Sequence, residues 1–162
     1  MGVVANAGPL IALARIDQLT LLPNLYGQII IPPAVFREVT TPADLPGARV
    51  LAQAGWLQVV EAQDQVAVQR LLFWLNEGES EAIVLAQETG TTLLIDERRG
   101  RAVAAALGGQ ISGTVGVLLA AKALGQVQAV TPLLDALIAS GVRLSPRLYE
   151  EAQRQAGEIS NP

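Results

Sequence analysis

Five side chains able to ligate a cation or move a proton stand where apolar runs break off: Asn6, Glu38, Glu79, Glu81 and Asp96. Asn6 follows Val3-Val4-Ala5 and Asp96 follows Leu93-Leu94-Ile95, the ends of two strand-like segments. Glu38 lies one helical stretch past Ile29-Ile30-Ile31, and Glu79 and Glu81 open a helix written GESEA. The sequence contains no Cys and no His, which removes thiolate and imidazole metal sites, the cysteine nucleophile and the Ser-His-Asp triad. Hydrolytic chemistry in this chain must therefore rest on carboxylates. Two or three of them brought together repel one another and raise their own pKa values unless a cation joins them. A hard divalent ion such as Mg²⁺ suits oxygen-only donors and keeps several waters. It can polarise a phosphoryl oxygen and supply hydroxide without any imidazole.

Each of these residues also has a plainer role. A Glu in a first helical turn is stabilised by the helix dipole, which would explain Glu79 or Glu81. Asp96 can cap the helix ERRGRAVAAAL, Asn6 can cap the helix that Pro9 opens, and Glu38 can be a solvated residue near a helix end. What favours a site is their joint placement at successive strand ends. Periodicity separates the two glutamates in part: Ala82, Ile83, Leu85 and Ala86 set the apolar face of their helix, placing Glu79 on the inner side and Glu81 away from it. A helix start nearer Glu81 would free Glu79 from that constraint.

The elements that must position these groups alternate. Strand-like GVVA, QIIIP, WLQVVE, TTLLID and QIS are separated by helix-like segments. Among the helices, QVAVQRLLFWLN is expected to stop at Asn76, and GESEAIVLAQETG is closed by Gly90. Residues 40–46 hold two prolines, Pro42 and Pro46, and form a loop. Short apolar strands between helices imply a parallel sheet covered on both faces, with ligands at the carboxyl ends of its strands. The 162 residues fit a single domain, and with 51% apolar but 4% aromatic residues the core must be built from Leu, Val, Ile and Ala. No signal peptide or membrane span is expected, and a cytoplasmic protein is the reading. The formal charge of −4 argues against broad nucleic-acid binding but leaves room for a local basic patch.

NAGPLIALARIDQLTLLPNLYGQIIIPPAVFREV, GESEAIVLA, LLIDERRGRAVAAALG, ISGTVGVLLAAKALG and the final AGE resemble, in that order, the PIN-domain family. The resemblance spans nearly the whole chain and is to the VapC-like branch with an Asn-x-Ser-Pro opening and a Gly-Glu-x-Glu-Ala motif. It implies one PIN-like domain over residues 1–162, a three-layer α/β/α sandwich with a central parallel sheet, and a ribonuclease site using Mg²⁺ or Mn²⁺. Matched motif by motif, the family's metal-binding acids fall on Asn6, Glu38, Glu81 and Asp96. The match to Glu81-Ala82-Ile83 disagrees with the periodicity that favours Glu79, and both glutamates stand as candidates. Thr114 matches a Ser/Thr that positions a water or caps its helix. The chain departs from the pattern in having Asn6 for the first acid and Gly8 for the Ser. An amide oxygen still coordinates a hard cation but brings no charge, so metal should bind more weakly.

For substrate contact, Arg37 beside Glu38 and Arg101 in ERRGR can meet an RNA backbone; Arg98 and Arg99 read better as a solvated face, and a Glu97–Arg101 pair at i, i+4 is the plain alternative for Arg101. The resulting expectation is a metal-dependent endoribonuclease, as the toxin of a toxin–antitoxin pair, with RNA as substrate, an antitoxin protein as partner and a homodimer as its state. The alternative is a catalytically weak PIN-like binding or regulatory protein, motivated by Asn6 and the acidic charge. A phosphoacceptor receiver domain would need an acidic pair after the first strand, and a dinucleotide-binding fold a glycine-rich turn there; NAGPLI has neither.

Overall fold

The computed structural model describes residues 2–162. Five parallel strands form one sheet in the order β3-β2-β1-β4-β5: β1 (Gly2–Ala5), β2 (Gln28–Ile31), β3 (Leu57–Val59), β4 (Leu93–Leu94) and β5 (Ile111–Ser112). Val4 at the centre pairs with Ile30 on one side and Leu93 on the other. Period-two alternation then decides the layers. Val3, Ala5, Ile29, Ile31 and Leu94 face one apolar cluster, while Val4, Leu93 and Ile95 face the other.

The first cluster is covered by α1 (Ala7–Arg15), α2 (Leu21–Tyr26), α3 (Pro33–Thr40), α4 (Ala48–Gln53), α8 (Thr114–Ala123), α9 (Thr131–Ala139) and α10 (Pro146–Gln155). The second is covered by α5 (Gln65–Leu71), α6 (Glu77–Thr89) and α7 (Arg98–Ala106). The fold is thus the expected three-layer α/β/α sandwich around a parallel sheet. Burying each of its fully enclosed Leu, Ile and Val side chains contributes about 1.5–3 kcal/mol, and these aliphatics carry the core because aromatics are so few. No helix among the described residues is long and apolar enough to cross a membrane.

Three elements depart from expectation. The helix expected to run to Asn76 ends at Leu71. Past it the bonding tightens from four residues back to three, with Trp74 N–H donating to Leu71, and the turn buries Leu75 while leaving Phe73 and Trp74 exposed. Asn76 instead opens α6 as its N-cap, and Gly90 closes that helix in the left-handed conformation, as glycine at this position does. The segments TTLLID and WLQVVE form strands only over Leu93–Leu94 and Leu57–Val59.

The backbone bonding continues one residue past the central strands. Asn6 N–H donates to Leu94 at 2.8 Å and Ile95 N–H to Ser112 at 2.8 Å. Asn6 and Asp96 are therefore fixed at the carboxyl ends of the two adjacent central strands.

Candidate functional site

Asn6 occupies the N-cap position of α1, yet its side chain caps nothing. It is 6% exposed, and its Oδ1 is buried without a hydrogen-bond partner. An orphaned buried acceptor costs about 1–3 kcal/mol, so the capping explanation for this residue fails. The oxygen faces a gap at the start of α6. A carbon added at Gly78 would lie 3.7 Å from Asn6 Oδ1 and 3.3 Å from Glu38 Oε2. Gly78 is thus a small floor between two oxygens, one on β1's end and one on α3.

Asp96 adjoins the same corner. A carbon added at Gly8 would lie 3.8 Å from its Oδ2. Asp96 does not cap α7; Glu97 does, its Oε2 accepting from Gly100 N–H at 2.6 Å. Asp96 instead accepts from both the backbone N–H (2.7 Å) and the hydroxyl of Thr114, at the start of α8. Thr114 is buried and is not itself the cap, since Gly113 holds that position without a side chain. Its hydroxyl anchors Asp96. Each carboxylate oxygen keeps a second lone pair for another partner.

Periodicity places Glu79 correctly on the inner side: it is 7% exposed. With Asn76 it forms a capping box, Glu79 N–H donating to Asn76 Oδ1 at 2.8 Å and the carboxylate accepting from Asn76 N–H. Burial pushes the Glu79 carboxyl above the ordinary range, against the Asn76 N–H bond that lowers it; Glu97 and Glu38 push it further up and Arg99 pulls it down. Glu81 has a different engagement. Its Oε2 accepts from Ala34 N–H at 3.1 Å, in the first turn of α3, and so ties α6 to the helix that carries Glu38.

Of the arginines, Arg101 donates from Nη1 to Ile95 O at 2.7 Å, bringing its guanidinium beside Asp96 rather than to Glu97. Arg37 pairs with Glu77 at 3.0 Å, with both side chains more than half exposed, an ion pair worth about 0–1 kcal/mol. Arg99 donates to Trp74 O. Sequence reading missed Asn76, Gly78 and Glu97. The Asn76-x-x-Glu79 and Glu97-x-x-Gly100 spacings are cap signals that the metal motifs overshadowed.

The arrangement is open. Among the described residues no three Asp or Glu carboxylates stand close enough to cage an ion unaided. The orphaned amide oxygen of Asn6 beside Glu38, with Asp96 at the same corner, still fits a hard cation that takes one or two carboxylates and retains its waters. A cavity of about 390 Å³ at the opposite edge of the sheet, bounded by Gly90, Thr91, Leu107 and Gln110, has no titratable side chain in its lining.

Oxygen donors thus stand at the carboxyl edge of the central strands of a parallel α/β/α fold, the edge at which such sheets bind their ligands. The PIN domain family model matches residues 2–158, and the chain belongs to that family. PIN domains are in general nucleases, and those nucleases generally use divalent metals. Searches of curated proteins and of solved structures each return no significant match.

Proposed function

We propose that this protein is a Mg²⁺- or Mn²⁺-dependent endoribonuclease hydrolysing RNA phosphodiesters, of the VapC-like branch, acting in the cytoplasm as the toxin of a toxin–antitoxin pair. Residues 1–162 act as a single PIN-like domain. The observation that carries this reading is the buried, partnerless Oδ1 of Asn6 facing Glu38 across Gly78. The orphaned acceptor is costly to keep unless a partner takes it, and a cation shared with the exposed carboxylates of Glu38 and Asp96 is the partner this reading supplies.

In this reading Asn6, Glu38 and Asp96 hold the ion, and the carboxyl of Glu79 faces the same acidic corner from α6. When bound there, a divalent ion would supply Lewis-acid chemistry, polarising a phosphoryl oxygen and lowering the pKa of water towards neutrality. The chain's residues do the rest. Thr114 fixes the rotamer of Asp96 through two hydrogen bonds. The Asn76 capping box holds Glu79 in its buried position, facing the acidic corner. Arg101 spends one N–H on Ile95 O and keeps the others of its five for an RNA phosphate. Arg37 can exchange its weak surface partner Glu77 for another. Glu81, committed to the α3 N-terminus, supports Glu38 and contributes a ligand only through its free oxygen.

A second reading, a PIN-like binding or regulatory protein with little catalysis, is favoured by one feature: the first position of the cluster carries no charge. Incubation of single-stranded RNA with the protein and Mg²⁺ or Mn²⁺ separates the two. Cleavage by the wild type that disappears in both Asp96→Asn and Glu38→Gln is the expected result. Equal cleavage by all three proteins, or none by the wild type, overturns the nuclease reading.

A further inference from the structure

A cavity of about 480 Å³ opens from Asp96 and Thr114 and runs between the start of α8 and the α9–α10 connection. That volume lies within the roughly 300–1,000 Å³ of small-molecule clefts. Its lining combines apolar groups, Leu119, Leu144 and Leu148, with two cations, Arg101 and Arg143. Arg143 is exposed and makes no hydrogen bond or ion pair with the described residues, so its charge lies free beside the groove. The floor, Ser112, Gly113 and Gly116, is nearly without side chains. A side-chain carbon at Gly113 would strike Asp96, and one at Gly116 would strike Ser112.

We infer that this groove binds one nucleotide of a single-stranded RNA, its base against these leucines and its phosphate on Arg143. The inference rests on the nuclease reading for its substrate class and adds to it the subsite and its phosphate contact. An apolar face with an unpaired cation beside it suits a nucleotide, which presents a flat base and a charged backbone. The groove starts at Asp96, so the phosphate next along the strand lies at the acidic corner. Arg101, bonded to Ile95 O, marks the junction of the two.

The test is binding of a fluorescent ten-nucleotide single-stranded RNA in EDTA, where metal-dependent cleavage cannot proceed, followed by anisotropy over a range of salt. Arg143→Gln is expected to weaken binding about 5–10-fold and to reduce the slope of log K against log salt by about 0.7, one phosphate's worth for a single strand. Leu148→Ser is expected to weaken binding several-fold with the slope unchanged, because it removes apolar contact and no charge. Both positions are exposed, and thermal melts establish that the variants fold. Wild-type affinity and slope in both variants overturn the groove while leaving RNA cleavage by the wild type intact. Weakened binding in both, with no cleavage of RNA by the wild type in Mg²⁺ or Mn²⁺, supports the groove and overturns the nuclease reading. A change of oligomeric state in Arg143→Gln, seen by light scattering, assigns the surface to a second copy of the chain and overturns the proposal.

Discussion

Asn6 is the residue on which the site turns. Its amide stands where a helix cap belongs but bonds nothing, and its oxygen looks across Gly78 at Glu38. Replacing it by Asp adds a buried negative charge beside two other acids. In metal-free buffer Asn6→Asp is expected to lower Tm, since the added carboxylate is desolvated and repelled; the melt should recover on adding Mn²⁺. Gly78→Ala probes the same gap sterically. Its new methyl would meet Glu38 and Val35 at 3.3–3.4 Å, close enough to fill the space without preventing folding. A cost to stability within about 1 kcal/mol and a loss of metal affinity of at least tenfold is the expected pair of results, read by a melt and a titration. Full metal affinity in Gly78→Ala would move the ion elsewhere.

Two helix starts show how elements serve the site. Asn76→Ala removes the side chain that caps α6 and should cost about 1 kcal/mol, measured by urea unfolding; it also removes the Nδ2 donor to Glu79 Oε1 at 3.2 Å while the backbone N–H bond stays. At the far end of the chain Glu158 clamps α9 to α8. Its carboxylate accepts from Val130 and Thr131 N–H and pairs with Lys122 at 2.8 Å. Burial opposes its charge, yet these bonds hold its pKa down at about 2, below the ordinary 4.5. A depressed carboxylate stabilises the fold above its unfolded pKa and loses that contribution as pH falls through the folded one. Glu158→Gln should therefore be less stable than wild type at neutral pH, by about 2 kcal/mol. The gap should narrow between pH 4.5 and about 2. A gap constant across that window would remove the charge from the explanation. The same elements show what sequence could convey. The strand GVVA and the glycine after α6 were legible because each is local. The early end of α5 was not, because it is decided by Leu75 reaching the core and by Asn76 being taken as a cap. The inner position of Glu79 followed from period alone; the bond from Ala34 that engages Glu81 joins α6 to α3 and has no local signal.

At the scale of the molecule, a parallel sheet between two helical layers brings residues from positions 6, 38, 79 and 96 to one edge, none adjacent in sequence. The fold was readable because strands and helices alternate along the chain; the family match over residues 2–158 agrees with it. The meeting of Asn6 with Glu38 was readable only in outline, since the gap between them is set by the packing of α3 on α6. The net charge of −4 makes general attraction to RNA weak, so the proposed substrate contact falls to the few cations near Asp96. An antitoxin partner and a homodimer fit the same proposal, and sizing of the purified chain alone and with its genomic neighbour would establish them. The most direct measurement is a calorimetric titration of Mn²⁺ into wild type, Asn6→Asp, Glu38→Gln and Asp96→Asn. A single cation site at this corner predicts binding by the wild type, at least tenfold weaker binding in Glu38→Gln and Asp96→Asn, and tighter binding, on the order of tenfold, in Asn6→Asp. The same affinity in all four proteins would contradict it.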